Sequence, residues 1–238
     1  MLAHAMYIES STSAGVAMIR MTNPAKKNAM NTTMLEELVA AIRSSANGEA
    51  VDAVVIIGSG GVFSAGADIS EHVDDAGAAQ RMELFCHLYE AVTRHPKPTV
   101  AAISGPAIGG GAEMATGCDL RVGDPTARFR FPGAAFGIPI GSARLPLLIG
   151  LSHAKDLLMT TRTVDADEGL RMGLLNRLVA ADELETVAVE LASAMAKNPG
   201  ATTQKRLLDE ISDLSARLMH ENRGLMRWQG SQRSTPDP

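Results

Sequence analysis

A glutamate stands just after three consecutive glycines, where a strand pattern gives way to a helix pattern. The run Thr99 to Ile103 is short, apolar and β-branched, as is typical of a buried strand, and Gly109-Gly110-Gly111 comes soon after it. Because glycine has no Cβ, a ligand can approach this backbone closely, although a tight turn packed on glycine explains the same pattern. The first N–H groups of the following helix have no partner inside it, so they can bind an electron-rich oxygen. Glu113 lies in that first turn and is the candidate acid or base.

A second small-residue loop stands upstream and also ends a strand pattern. The apolar run Ala53 to Ile57 predicts a buried strand, and the loop after it contains Ala65-Gly66-Ala67. This loop is not a dinucleotide-binding fingerprint, because Phe63 occupies the place of the third glycine. The glycines before Glu113 are not a phosphate-binding P-loop either, because the Lys-Ser/Thr pair is missing.

Together the two loops resemble the paired signatures of the crotonase family, the enoyl-CoA hydratase/isomerase superfamily. Phe63 to Ile69 reads F-S-A-G-A-D-I, and Gly105 to Glu113 reads G-P-A-I-G-G-G-A-E. The resemblance extends from Val16 to about Asn198. It implies an α/β fold, a crotonase-like ββα spiral with two roughly perpendicular sheets surrounded by helices. It also implies a spiral core over residues 1–198 and a helical C-terminal trimerisation region over 199–238 with a short disordered tail.

The resemblance further implies a site for an acyl-CoA thioester. The backbone N–H groups of Ala67 and Gly110 would form an oxyanion hole that stabilises an enolate, with Glu113 as the main acid or base. No cofactor is implied, since coenzyme A is part of the substrate. The residues that would contact CoA or the acyl group are Lys26, Ala29, Ala65, Asp68, Ile69, Gly109, Pro132 and Gly133. For Lys26, a solvated surface position is an alternative to phosphate contact.

Gly133 departs from the pattern of the family's hydratases. Those enzymes use two glutamates, and the second one directly follows the proline that corresponds to Pro132. Phe131 and Phe136 predict an apolar wall here, which would raise the pKa of a nearby carboxyl group and let Glu113 act alone. A glutamate restored at position 133 is expected to raise the rate of hydration.

Three functions are compatible with these residues. The first is hydration of an enoyl-CoA, which Glu113 favours. The second is another crotonase reaction, such as enoyl-CoA isomerisation or acyl-CoA decarboxylation, and the third is non-catalytic acyl-CoA binding. Gly133 favours these two over hydration, but it also weakens isomerisation, because well-known isomerases of the family keep the second acid and dispense with the first. His72 and His87 are weaker candidates, because both are expected at exposed positions. We adopt the first function, a hydratase-like lyase of fatty acid metabolism.

The elements that position the two loops follow from periodicity and turn residues. An opening hairpin is predicted to turn over 11–15, and the acidic stretch 70–79 predicts a mobile loop. A helix over 33–45 begins with a capping-box pattern at Thr33. Further helices are predicted over 80–94, 152–160, 183–197 and 201–224, and disorder over 230–238.

Composition limits the remaining classes of partner. The 238 residues carry a formal net charge of −5 with both signs dispersed, which argues against nucleic acid as a partner. No apolar run is long enough to cross a membrane, and no Cys/His cluster has the spacing of a zinc site. Without such a cluster we expect no metal. Only two cysteines are present, so no disulfide framework is implied and we expect a cytoplasmic protein. The family resemblance implies a homotrimer or a dimer of trimers. The C-terminus departs from the family's pattern, since it is expected to stop before the family's last helix.

Overall fold

The main sheet starts with a β-hairpin, which consists of β1 (Ile8–Ser13) and β2 (Val16–Met21). The structure is a computed structural model that describes residues 6–232. Ala14 and Gly15 form the turn with positive φ angles of 47° and 80°, as two-residue hairpin turns require. The predicted hairpin is therefore confirmed, with a turn shorter than the predicted 11–15.

Two sheets share the remaining strands. These are β3 (Ala53–Gly58), β4 (Thr99–Ile103), β5 (Pro106–Ile108), β6 (Leu120–Gly123), β7 (Arg128–Arg130), β8 (Thr163–Asp165) and β9 (Arg177–Leu178). Within residues 6–232, one sheet has the order β1-β2-β3-β4-β6-β9 and is parallel from β2 onward, while the other has the order β5-β7-β8. The strands predicted over 53–57 and 99–103 are confirmed as β3 and β4.

Helices cover both faces of the larger sheet. They are α1 (Thr32–Asn47), α2 (Asp75–Thr93), α3 (Gly110–Gly117), α4 (Leu145–Thr160), α5 (Ala166–Met172), α6 (Leu184–Ala196), α7 (Ala201–Ile211) and α8 (Leu214–Gln232). Along β3, Val54 and Ile56 belong to the core cluster that includes α1 and α2, and Val55 and Ile57 pack with α6. Because both faces are covered, β3 reads as a continuous apolar run rather than an alternating one.

The two loops of the site start at the same edge of this sheet. β3 and β4 run parallel, with Val55 opposite Val100, so their carboxyl ends lie side by side. β3 leads directly into the loop over 59–68. β4 leads through Gly105, with φ of 57°, into β5 of the second sheet and then into α3. Ligands of α/β sheets bind at such carboxyl edges.

Several predicted helix boundaries were wrong because short polar residues cap the helices earlier. Asn31, not Thr33, caps α1, and its side chain accepts a hydrogen bond from the Met34 N–H at 2.8 Å. Asp74 caps α2 in the same way, so the second half of the predicted 70–79 loop is helical. α4 starts before its predicted start at 152, with a kink at Gly150.

The C-terminal helices differ in how far they are buried. On α8, Leu218 and Leu225 are fully buried in the main core cluster, whereas on α7 Leu208 and Ile211 are 63% and 82% exposed. α8 extends to Gln232, so the predicted disorder was wrong for residues 230–232, and the rest of that tail lies outside the described residues. The division at residue 198 and the trimerisation role stay predictions. In the described range 6–232, none of the helices has the length and apolar character needed to cross a membrane.

Candidate active site

The main chain around Ala67 turns one N–H group away from the rest of its loop. The N–H of Met30 donates to the carbonyl of Gly66 at 2.7 Å, and the N–H of Asp68 donates to the carbonyl of Met30 at 2.9 Å. This is a parallel bridge between Met30 and Ala67. In such a bridge the N–H and carbonyl of the residue between the two bonds point to the opposite side. The Ala67 N–H therefore faces away from Met30.

Gly110 supplies the second N–H group, at the start of α3. A Cβ placed on Gly66 would lie 2.6 Å from the carbonyl oxygen of Ile108 and 3.3 Å from the nitrogen of Gly110. Only glycine at position 66, where φ is 88°, allows the two loops to come this close. Among the backbone hydrogen bonds of residues 6–232, neither the Ala67 N–H nor the Gly110 N–H has an acceptor. The structure thus brings together the two donors predicted from sequence.

Other predicted contact residues surround these donors. A Cβ on Gly109 would lie 3.8 Å from the Pro132 ring, so these two residues are neighbours. Ala29 is buried, and the N–H of Ala65 donates to the carbonyl of Lys27 at 2.9 Å. Ile69, by contrast, is 95% exposed.

Lys26 is held by a carboxylate of the same site. Its Nζ donates to Asp68 Oδ2 at 2.8 Å and to Ser70 Oγ at 2.9 Å. Asp68 also accepts hydrogen bonds from the Ser70 N–H and hydroxyl. Burial disfavours its ionisation, but the hydrogen bonds from Lys26 and Ser70 outweigh this and lower the pKa of Asp68 to about 2. A structural role for Lys26 in fixing the loop therefore stands beside its predicted contact with CoA.

Glu113 belongs to a buried charged cluster, which also contains Arg144 and Glu221. Glu113 Oε2 accepts a hydrogen bond from Arg144 Nη2, and the same nitrogen lies 3.1 Å from Glu221 Oε1. The side chains of all three residues are at most 2% exposed. The Tyr89 ring packs against the guanidinium, 5.4 Å from its centroid to Cζ. The candidate base is thus one end of an ion-pair chain.

The other oxygen of Glu113 has no hydrogen-bond partner among the described residues. A Cβ on Gly141, whose φ is 92°, would lie 2.9 Å from Oε1, so the backbone of Gly141 passes close to this oxygen. Burial raises the pKa of Glu113 to about 7; Arg144 lowers it and Glu221 raises it further. A carboxyl group with this pKa can exchange a proton near neutrality, and Oε1 is the oxygen available for it.

Gly133 cannot accept a side chain in this backbone. A Cβ there would lie 2.6 Å from the Ile138 carbonyl oxygen and 2.6 Å from Ile140 Cγ2. The space of a second glutamate is therefore occupied by the segment 138–140. The apolar wall expected here is only partly present, because Phe131 is buried but Phe136 is 67% exposed.

Neither weaker candidate contacts Glu113 through any hydrogen bond or ion pair described for residues 6–232. His72 is exposed, with Nδ1 3.1 Å from the Ser70 carbonyl oxygen. His87 lines a cleft of about 560 Å³ between α2 and α8. Within the same range, no cluster of His, Cys, Asp or Glu side chains has the arrangement of a metal site.

Four residues around Glu113 were not predicted from the sequence: Arg144, Glu221, Tyr89 and Gly141. Arg144 did carry a signal, since it is a single charge inside the apolar run Ala143 to Ile149. Glu221 carried none, because a glutamate in a polar helix is normally solvated. Its 0% side-chain exposure follows only from the packing of α8.

Three comparisons with known proteins point to the same family. The family model described as enoyl-CoA hydratase/isomerase matches residues 11–229. A Mycobacterium tuberculosis protein named probable enoyl-CoA hydratase echA6 is 37% identical over 180 residues, or 74% of this chain and 72% of that protein. The crystal structure of a probable enoyl-CoA hydratase from Mycobacterium thermoresistibile has a TM-score of 0.85 at 27% identity, covering 97% of this chain and 99% of that one. A monofunctional enoyl-CoA isomerase from M. smegmatis has a TM-score of 0.75 at 30% identity, over 87% and 94%.

Proposed function

Since the chain belongs to the enoyl-CoA hydratase/isomerase family, we propose that it hydrates a 2-enoyl-CoA thioester. The family and the crotonase-like fold are as predicted from the sequence. The observation that carries the proposal is the pair of N–H groups at Ala67 and Gly110, which have no acceptor within residues 6–232; Gly110 lies one helical turn before Glu113. These donors suit a thioester oxygen that gains negative charge, and losing one such donor typically costs about 10²–10³ in kcat.

The reaction adds one water molecule across the Cα=Cβ bond. Glu113 Oε1 takes a proton from water as the water oxygen bonds to Cβ. The electron pair of the double bond shifts toward the thioester oxygen, where the Ala67 and Gly110 N–H groups stabilise the enolate. The same carboxyl group then returns the proton to Cα. One acid/base group therefore does the work that the family's hydratases divide between two glutamates.

Burial of Glu113 sets a condition on this mechanism. Neither carboxyl oxygen is accessible to solvent, and Gly141 lies against Oε1. Substrate and water reach Glu113 only if the neighbouring segment 137–141 moves aside. We infer that binding of the acyl group displaces this segment.

A second candidate function is supported by the same ion pair. Arg144 occupies one oxygen of Glu113, and the position of a second glutamate is closed at Gly133. Acyl-CoA decarboxylation needs less from this carboxylate, because the bond to the departing CO₂ supplies the electron pair of the enolate that the oxyanion hole would stabilise. Isomerisation would still need Glu113 to move a proton between two carbons. Acyl-CoA binding without a reaction needs nothing from it.

The test is incubation with a panel of acyl-CoAs, with products identified by mass spectrometry and hydration followed as loss of enoyl absorbance. We expect hydration of at least one 2-enoyl-CoA and its loss in Glu113→Gln. Glu49→Gln, a change at an exposed glutamate, is the matched control. Full activity in Glu113→Gln would refute the role of Glu113, and binding without any product would favour the non-catalytic function.

We also propose a homotrimer or dimer of trimers, supported by the exposed apolar residues of α7. Leu208 and Ile211 would be buried between subunits, which removes apolar area from water. Light scattering at micromolar concentration should give the mass of three or six chains. A monomer would contradict the proposal.

A further inference from the structure

We propose that Glu221, on the C-terminal helix α8, is a positioning residue that tunes Glu113 through Arg144. The inference rests on the proposed role of Glu113 as the acid/base group. It concerns a side chain that does not touch the substrate site itself. Its consequence is that the C-terminal helix takes part in the chemistry as well as in folding.

One nitrogen joins the two carboxylates. Arg144 Nη2 donates to Glu113 Oε2 and lies 3.1 Å from Glu221 Oε1. Both protons of this nitrogen are thus directed at carboxylates, while Nε and Nη1 have no partner among the described residues. Any change in the charge of one carboxylate therefore reaches the other through a single shared donor.

Glu221 accepts more hydrogen bonds than Glu113 among the described residues. Its Oε2 accepts hydrogen bonds from Ser142 Oγ at 3.0 Å and from the Ala143 N–H at 2.8 Å, in addition to the Arg144 contact at Oε1. Among the described residues, Glu113 accepts only one, from Arg144. Hydrogen bonds to the charged form favour ionisation, and this single bond does not offset the rise that burial causes in the pKa of Glu113.

The charge balance of the cluster points the same way. It holds two carboxylates and one guanidinium, all buried, so it has one negative charge more than it can neutralise. Two further titratable groups of α2 face the cluster, Tyr89 and Cys86. Burial raises the pKa of Tyr89 well above the usual value and that of the Cys86 thiol to about 12, so both are neutral. Excess negative charge in a buried site is relieved by protonating one carboxylate. Glu221 thus makes Glu113 basic enough to hold a proton near neutral pH.

The two partners of Glu113 should have opposite effects on it. The guanidinium favours the carboxylate form of Glu113 and lowers its pKa, while Glu221 raises it. Without the Glu221 charge, Arg144 would act on Glu113 alone, and Glu113 would become a weaker base. Without the Arg144 charge, the pKa of Glu113 would rise instead.

The experiment compares Glu221→Gln with the unmodified protein in two measurements. The pH dependence of kcat/KM for a 2-enoyl-CoA should show its acid limb near pH 7 in the unmodified protein. In Glu221→Gln we expect this limb about one unit lower, with a reduced plateau. Titration of the Glu113 carboxyl by ¹³C NMR should show the same shift, and it needs no activity.

The controls separate tuning from a structural role. Glu221→Asp keeps the charge and should restore the acid limb, and Arg144→Gln, which removes the positive charge, should move the limb to higher pH. Glu90 is another carboxylate at the α2–α8 contact, and its Oε1 accepts a hydrogen bond from Asn222 Nδ2 at 3.0 Å. Glu90→Gln should not move the acid limb. If Glu221→Gln fails to fold, Ser142→Ala removes one donor from Glu221 and should give a smaller shift toward low pH.

The outcomes also separate this inference from the proposed function. Full activity in Glu113→Gln would refute the proposed role of Glu113, and the NMR titration of the unmodified protein would then still report on the coupling. An unchanged Glu113 titration in folded Glu221→Gln or Ser142→Ala overturns the inference, even if activity falls. A lower rate with an unmoved acid limb would likewise assign Glu221 a structural role only.

Discussion

The two halves of the candidate site are built in different ways. The oxyanion half uses backbone N–H groups on two loops of small residues, where Gly66 lets the main chains meet. The charged half uses the side chains of Glu113, Arg144 and Glu221, which are 31 and 77 residues apart along the chain. The first depends on the absence of side chains, and the second on the balance of buried charges. Mutations should therefore damage the first through shape and the second through electrostatics.

The largest effect is expected from Arg144→Met, which tests the charged half. It leaves two buried carboxylates without their cation, and breaking such a pair typically costs about 3–5 kcal/mol. Urea unfolding measures the loss. The triple variant Glu113→Gln/Arg144→Met/Glu221→Gln removes all three charges and should recover much of it. A single variant as stable as the parent would show that the cluster is not balanced by Arg144.

The second largest effect is expected from Gly66→Ala in the oxyanion half, and it is a loss of activity. The added Cβ would lie 2.6 Å from the Ile108 carbonyl oxygen and push the two loops apart, so kcat/KM should fall about 10²–10³-fold. Gly150→Ala is the matched control, because φ is also left-handed there but no atom lies within 4 Å of the new Cβ. Equal losses of activity in both variants would mean that backbone strain, not loop separation, is responsible.

A smaller effect is expected from Gly133→Ala, which tests whether a second acid can be added between the halves. Overpacking against Ile138 and Ile140 should cost about 1–3 kcal/mol of unfolding free energy. For the same reason, Gly133→Glu should be destabilised and should not raise hydration, contrary to the expectation from sequence. Gly200→Ala, with open space around its Cβ, is the control for thermal unfolding. A stable Gly133→Glu variant with faster hydration would show that the segment 138–140 moves to accommodate the new side chain at little cost in stability.

The smallest effect is expected from Lys26→Met, in the surface pair beside the oxyanion loop. Asp68 keeps its hydrogen bonds from Ser70, so the loop should hold and thermal unfolding should not change measurably. Calorimetry with CoA and with a 3′-dephosphorylated CoA then isolates any phosphate contact. If Lys26→Met loses affinity for CoA but not for the 3′-dephosphorylated CoA, the predicted phosphate contact is supported. If the variant binds each ligand as tightly as the parent does, Lys26 has a purely structural role.

The sequence by itself predicted the family and the fold, and it singled out the two backbone N–H groups that the structure brings together, whose role as an oxyanion hole stays a prediction. The signals were local: an apolar strand, then small residues, then a helix start, at Ala65 to Ala67 and at Gly109 to Gly111. The direction of a backbone N–H group depends on the conformation of the main chain, and in a glycine-rich loop that conformation is determined largely by residues adjacent in the sequence. Helix starts were less well predicted, because Asn31 and Asp74 cap their helices through side-chain geometry that alternative residues nearby could also have provided.

Only the tertiary structure decided the charged half. Nothing near Glu113 in the chain specifies Arg144 or Glu221 as its partners, since α4 and α8 bring them there by packing. The same holds for Gly133, whose missing side chain looked like a lost acid but is also a steric requirement of Ile138 and Ile140. Burial and charge balance arise from contacts between distant segments, and a pKa depends on both. The sequence therefore identified Glu113 as a candidate acid/base by its residue type, whereas the burial and the neighbouring charges that set its pKa came only from the tertiary structure.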